Sequence, residues 1–323
     1  MTAQIKSERK GTIKRKRVTG CLCAALTVLL YAAGKRYVFP TVERNAEEAA
    51  VVPEGVHTDP VIEINRQETG EGEDKITYFV ADIQLGDATD LKTAFAKDQY
   101  GLNIKEHVSN IAQDNQALFA VNGDFYGYRT DGIVIRDGVL YRDEPTGRAC
   151  LVMYRDGTVN VMQEGTVSGE ELVEEGAWNV FSFGPTLVEN GRICEGMKES
   201  YKVDLIGKNI SGKQPRTGIG ILGENHLLII TVDGRAKGYS CGMTFQEFAQ
   251  LFIDYGCELA YNLDGGSSVT MYYDGQVLNQ PSSGSEKEVS DIIYISKGQQ
   301  ESGESGKETE LWIVTDSTCR RIC

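Results

Sequence analysis

Histidine is nearly missing from this chain. Only His57, His107 and His226 occur among 323 residues, far apart, and no two cysteines have the C-x-x-C spacing. That excludes a zinc centre of the usual Cys/His pattern. No G-x-S-x-G surrounds Ser267 or Ser268, which argues against a serine hydrolase, and neither a P-loop nor an EF-hand loop occurs. Positive charge is scarce outside the N-terminus. Residues 1–40 carry +8 against a total of −14, so the remainder carries −22. An acidic body disfavours a nucleic-acid partner, because phosphate contacts need a basic surface.

Eight cysteines are present: Cys21 and Cys23 in the N-terminal run, Cys319 and Cys323 in the tail, and Cys150, Cys194, Cys241 and Cys257 in the body. Four body cysteines allow two disulfides in an exported protein, but their spacing describes no framework. The basic cluster Lys6, Arg9, Lys10, Lys14, Arg15, Lys16 and Arg17 precedes an uncharged run over residues 18–34. A positive flank on an apolar run predicts export, with the body outside the cytoplasm. The run is a little short for the roughly 20 residues of a full span. Cleavable signal and uncleaved membrane anchor both stay open, with the long basic flank favouring the anchor. The expected organisation is residues 1–40 as this segment, 41–73 as a stalk, 74–296 as the domain, and 297–323 as a linker with a cysteine-bearing tail.

The order of elements predicts an α+β fold, a mainly antiparallel mixed sheet with a few packed helices in a single extracytoplasmic domain. A strand is expected over residues 76–85, helices over 91–98 and 104–113, and a short strand over 117–121. Hairpins are then expected around Asp137-Gly138, Asp156-Gly157 and Asn190-Gly191, whose residues supply the positive φ of two-residue turns. Residues 217–222 and 227–232 flank Gly-Glu-Asn-His as another hairpin. Thr244-Phe-Gln-Glu247 is a capping box, followed by the stripe Phe245, Phe248, Phe252 and Tyr255 and stopped by Gly256. Strands over 259–263, 269–273 and 291–295 complete the domain. Gly218-Ile-Gly-Ile-Leu-Gly223 spells G-x-G-x-x-G, but no helix follows to receive a phosphate, so it is expected to be a strand.

Polar clusters sit at the ends of these strands. Asn122-Gly123-Asp124-Phe125-Tyr126 and Asn262-Leu-Asp264-Gly265-Gly266-Ser267-Ser268 each follow a helix and a strand, and Asp233-Gly234-Arg235 ends another strand. Pro215-Arg216-Thr217 begins one more. Pairing across the Gly-Glu-Asn-His turn puts Arg216-Thr217 opposite Asp233-Gly234. Each cluster alone reads as a turn as readily as a site, but together they point to one.

In order, Val121-Asn-Gly-Asp-Phe-Tyr, Phe183-Gly-Pro-Thr-Leu-Val, Pro215-Arg-Thr-Gly-Ile-Gly, Val232-Asp-Gly-Arg and Asn262-Leu-Asp-Gly-Gly-Ser-Ser resemble the phosphodiester glycosidase family over residues 76–295. A well-known member reads closer to Asn-Ala-Gly-Phe-Phe at residues 122–126, so Asp124 adds a carboxylate here. It reads closer to Asp-Gly-Gly-Gly-Ser at 264–268. The resemblance implies hydrolysis of the bond joining a sugar to a phosphodiester, without a cofactor. The substrate would be a sugar phosphodiester or a phosphate-containing glycopolymer at the cell surface. Expulsion of a phosphate monoester relaxes the need for a raised-pKa acid. Arg216 would then grip the phosphate, and Asp264 would be nucleophile or stabiliser, with Gly265 and Gly266 letting backbone N–H groups approach. Asp124 or Asp233 would be the base, or Asp233 would orient Arg216. Asn122, Gly123, Phe125, Tyr126, Thr217, Gly234, Arg235, Asn262, Gly265, Gly266, Ser267 and Ser268 would line the substrate. A hard cation such as Ca²⁺ on Asp124, Asp233 and Asp264 is the alternative use of those acids. A glycan- or phosphate-binding surface protein without activity, or an accessory factor in exopolysaccharide assembly, is the alternative function.

Overall fold

The computed structural model describes residues 58–197 and 212–298, with the backbone of two further strands, Trp312–Thr315 and Thr318–Arg321. The basic N-terminus and the uncharged run expected to direct export lie outside the described residues. Among the described residues no helix is long and apolar enough to cross a membrane.

Three antiparallel sheets form the body. The largest runs β1 (Val61–Thr69), β2 (Ile76–Gln84), β13 (His226–Val232), β12 (Arg216–Gly223), β14 (Leu259–Asn262), β10 (Thr186–Glu189) and β11 (Arg192–Ile193). A second runs β16 (Gln276–Val277), β15 (Met271–Tyr273), β4 (Ala117–Asn122), β17 (Asp291–Ser296) and β3 (Lys92–Phe95). The third runs β6 (Val139–Arg142), β5 (Val134–Arg136), β9 (Ala177–Phe181), β7 (Ala149–Tyr154) and β8 (Val159–Gln163). The two outlying strands pair as a hairpin, β18 with β19.

One apolar core joins all three sheets. It takes Phe79, Ile83, Ile219 and Ile229 from the first, Phe119, Val121 and Ile293 from the second, and Leu151 and Phe181 from the third. Each sheet's other face is covered by a helix. Helix α1 (Val108–Asp114) packs Val108, Ile111 and Ala112 on the second sheet, and α2 (Gly169–Glu174) packs Leu172 on the third. Helix α3 (Phe245–Asp254) packs Phe245, Phe248 and Phe252 on the first. Central strands are therefore buried on both faces, which is why β13 reads Leu-Leu-Ile-Ile-Thr-Val instead of alternating. The mainly antiparallel α+β architecture expected from the sequence is what forms. Cys150, Cys194, Cys241 and Cys257 are all free thiols.

Two local expectations change, and two elements come in addition. Residues 91–98 form β3 and a 3-10 turn, not a helix, because β17 pairs with them and the Asp137 carboxylate accepts from the Thr93 N–H (2.9 Å) and hydroxyl (3.0 Å). Tertiary pairing overrides local helix propensity there. β1 lies within the stretch read as a stalk: Ile62 and Ile64 pack on the core while charged neighbours face outward on this edge strand. Helix α2 is a short polar segment whose Ser168–Glu171 capping box marks its start, and it went unread, as did β9 behind it. Glycines of the G-x-G-x-x-G string lie in β12, as expected. A Cβ on Gly220 would sit 2.5 Å from Phe252 Cδ1 and 2.6 Å from Cys257 Sγ, so the glycine makes room for the α3 rings.

Gly220→Ala should therefore lower stability by about 1–3 kcal/mol through overpacking, read as a shift of the urea midpoint. Gly223→Ala, where a Cβ meets nothing within 4 Å, is the near-neutral control. Equal midpoints for the two would show that the α3 contact does not matter.

Candidate active site

Antiparallel register brings several strand ends to one place. Gly218 of β12 faces Asn262 at the end of β14, and Ile292 of β17 faces Asn122 at the end of β4. The buried Asn122 side chain links them. Its Nδ2 donates to the Asp264 carbonyl at 2.7 Å, and its Oδ1 accepts from the Thr217 hydroxyl (2.8 Å) and the Thr270 N–H (3.3 Å). Asn262 does similar work nearby, donating to the Gly184 carbonyl at 2.8 Å and so fixing the loop that carries Phe183. Both asparagines are buried.

The Asp264–Ser268 turn projects from this junction. Asp264 is half-buried, and its Oδ1 accepts from the Gly265 N–H at 2.9 Å. Gly266 has φ 64°, a left-handed conformation that favours glycine, and its N–H donates to the Pro215 carbonyl at 2.9 Å. The amides expected to approach a phosphate are thus already engaged, Gly265 with the Asp264 carboxylate and Gly266 with Pro215. The Ser268 hydroxyl hydrogen-bonds the Asp264 carboxylate, and Lys287 Nζ donates to Ser268 Oγ at 3.3 Å. Arg235, with φ 58°, lays its guanidinium along the same turn, Nη2 lying 3.0 Å from where a Gly266 Cβ would be. Burial raises the Asp264 carboxyl above its ordinary value, and the Ser268 hydroxyl, the Lys287 charge and the Gly265 N–H partly offset this. Ser267 is half-buried on the turn.

Behind the turn lies a buried charge cluster. Asp124 accepts from the N–H groups of Tyr126 (2.7 Å) and Ser182 (3.2 Å), with Arg136 Nη2 at 3.3 Å and Arg129 Nη2 at 3.7 Å. Burial pushes this carboxyl up, but the charges of Arg136 and Arg129 outweigh it and hold it below the usual range. Arg136 also donates through Nε to Asp291 Oδ2 at 2.9 Å, with Nη2 in ion-pair contact with the same oxygen at 2.9 Å. Burial drives Asp291 up to about 7, against Arg136 and with the negative charges of Asp124 and Asp264 adding to the rise. A Cβ on Gly123 would lie 2.6 Å from Asp291 Oδ1, so the glycine lets the carboxylate reach this position. Arg129, Arg136 and Asp291 were not foreseen. The available signal was a charged residue set into an apolar strand, Arg136 ending Val-Ile-Arg and Asp291 opening Asp-Ile-Ile-Tyr.

Two expected placements are corrected. A bulge at the β12–β13 turn pairs Arg216 with Val232 rather than with Asp233. One residue of slip sends the two side chains to opposite faces. Arg216 goes to the α3 side, where it stacks 4.0 Å from the Phe245 ring and donates to the carbonyls of Met243 (3.0 Å) and Gly212 (2.9 Å). Asp233 goes to the other side and accepts from Tyr239 (2.8 Å), Asn279 (2.9 Å) and the Gln280 N–H (2.9 Å). Burial raises its pKa, offset by those donors. Gly234 packs its backbone against Pro215 and Gly242. The second correction is Tyr126, which is fully buried, stacked on Tyr100 and edge-on to Phe95, with no free face for a sugar. Phe125 instead stacks on Tyr128, centroids 4.3 Å apart, with Phe183 edge-on. Among the described residues no group of three or more His, Cys, Asp or Glu side chains is arranged to hold a metal ion.

Asp124→Asn strips Arg129 of its partner within a buried cluster, so a loss of about 3–5 kcal/mol in urea unfolding is expected; an unchanged midpoint would mean the cluster is not coupled. For Asp291 the folded carboxyl binds its proton between the ordinary value of 3.8 and about 7. Its contribution to stability is complete below that window and is lost as pH rises through 7. Asp291→Asn should exceed the wild type slightly at pH 5 and by clearly more at pH 8. The reverse order would contradict the assignment.

Comparison with known proteins follows the same segments. The chain is 34% identical over 205 residues to the SPbeta prophage-derived uncharacterized protein YomE of Bacillus subtilis (strain 168), covering 61% of this chain and 30% of that protein. It is 27% identical over 175 residues to the N-acetylglucosamine-1-phosphodiester alpha-N-acetylglucosaminidase of Mus musculus, covering 50% of this chain and 33% of that one. The chain thus spans about a third of the length of these relatives. In fold it is similar to the zebrafish N-acetylglucosamine-1-phosphodiester alpha-N-acetylglucosaminidase catalytic domain auto-inhibited by its pro-peptide. That match has a TM-score of 0.59 at 21% identity and covers 74% of this chain and 84% of the other. A hypothetical protein from Synechocystis matches with a TM-score of 0.56 at 13% identity, covering 71% and 61%. The phosphodiester glycosidase family profile matches residues 115–296, more than half of the chain, and this protein belongs to that family.

Proposed function

We propose that this domain hydrolyses the bond between a sugar and the phosphate of a phosphodiester, with Asp264 as the carboxylate facing the anomeric carbon. The observation that carries the reading is the half-buried Asp264, oriented by Ser268 and Gly265 beside the ionised Asp124. Positive charge building at the anomeric carbon is stabilised by a fixed carboxylate in a site that excludes much water. The bond from that carbon to the phosphate oxygen breaks with its electron pair staying on phosphate. Water adds to the carbon, and the phosphate monoester, whose second pKa is about 6, takes up the released proton.

The other expected groups take supporting parts. Asp124 keeps the field around Asp264 negative through the Arg136–Asp291 cluster. Arg216 and Asp233 position the walls, Arg216 by fastening the carbonyls ahead of α3 and Asp233 by gathering Tyr239, Asn279 and Gln280. Phe125 with Tyr128 offers an aromatic side to the sugar. The substrate class is a sugar phosphodiester, N-acetylglucosamine-linked in the relatives whose names state it, and here a cell-surface glycopolymer. The domain boundaries read from the sequence, with an N-terminal export or anchor segment, suit action outside the cytoplasm, secreted or held at a membrane.

The test is product identification after incubation with a panel of UDP-sugars and sugar phosphodiesters. Free sugar should be released, and Asp264→Asn should lose activity by on the order of 10²–10⁴-fold with an unchanged melting curve. Tight binding without any turnover by the wild type would favour a glycan-binding role instead.

A further inference from the structure

We infer that Lys287 is the cation that receives the substrate's phosphate group, and that it sets the preference for an anionic leaving group. This rests on the hydrolytic reading above, because it places the phosphate next to Asp264. The ammonium stands one hydroxyl away from that carboxylate: Nζ donates to Ser268 Oγ at 3.3 Å, and Ser268 bonds Asp264. On its other side the ammonium lies 5.6 Å from the centroid of the Tyr128 ring, which stacks on Phe125. Lys287 is half-buried and makes no ion pair with a described residue. An ammonium carries three donors. One goes to Ser268, and the other two are unspent at the mouth of the site.

Of the other described cations near the turn, none donates to Ser268. Arg136 is held between Asp124 and Asp291, whereas Arg129 is buried with its charge balanced by Asp124 at 3.7 Å but with no hydrogen bond from its guanidinium. Arg216 fastens backbone carbonyls under the Phe245 ring on the α3 side. Arg235 is exposed, and its Nε donates to Gln214 at 2.8 Å; it flanks the same turn from the Gly266 side and adds positive field without touching Ser268. A compact, strongly hydrated ammonium suits a phosphate that must arrive and leave each turnover. Its charge also helps keep Asp264 ionised before substrate binds.

The experiment titrates the full chain with inorganic phosphate at low ionic strength by calorimetry, alongside steady-state kinetics on a sugar phosphodiester and on a neutral aryl glycoside of the same sugar. Lys287→Met should weaken phosphate binding by at least about tenfold, the scale of one lost charged hydrogen bond, while Lys287→Arg keeps it within about threefold. In the kinetics Lys287→Met should lose kcat/KM on the phosphodiester and change little on the neutral glycoside. Undiminished phosphate binding by Lys287→Met, no phosphate binding by the wild type, or equal losses on both substrates would overturn the assignment. Phosphate binding that depends on Lys287 in a protein that releases no sugar would uphold the site and sink the hydrolytic reading.

Discussion

Everything at the site hangs on the amide of Asn122. A single buried side chain bonds Thr217 at the start of β12, the carbonyl of Asp264 after β14, and the N–H of Thr270 before β15. These segments come from two different sheets, and the common core behind them holds the sheets but does not set the angle of a loop. Directional hydrogen bonds do that, and an asparagine, with both donor and acceptor, can bridge a hydroxyl, a carbonyl and an amide at once. An aspartate or leucine at this position would fill the space and leave the loop unspecified.

Behind that junction the protein keeps an unusual quantity of charge out of water. Two carboxylates, Asp124 and Asp291, share the Arg136 guanidinium, and Arg129 adds a second cation. Such clusters are poor sources of net stability because desolvation offsets most of the attraction. Their value is a fixed field. An ionised Asp124 close to Asp264 raises the proton affinity of the latter, while Ser268 and Lys287 lower it. Burial outweighs these neighbours, and the Asp264 carboxyl ends above its ordinary value.

Much of the scaffold was readable from local chemistry. Asp137-Gly138 and Asn190-Gly191 form the turns their positive φ values call for, and the Thr244 capping box opens α3 with its three phenylalanines buried. What escaped reading has common causes. β3 looked helical because its partner, β17, lies almost 200 residues away in the chain. β1 looked like a linker because an edge strand keeps one charged side. The Arg216–Asp233 pairing was displaced by one extra residue at a hairpin, a change invisible to periodicity and large enough to turn both side chains to opposite faces.

Sequence alone determined that glycine-flanked acids stand at the ends of apolar strands, that no zinc or serine chemistry of standard spacing is available, and that the order of motifs is that of one family. Those are statements about residue types along a line, and local sterics and composition are enough to support them. Only the tertiary structure decided which charges meet. It buried Tyr126, drew in Arg136, Asp291 and Lys287, and turned Arg216 toward α3. Electrostatic and hydrogen-bond partners are chosen by distance in space, and strand register, bulges and the meeting of three sheets on one core set that distance.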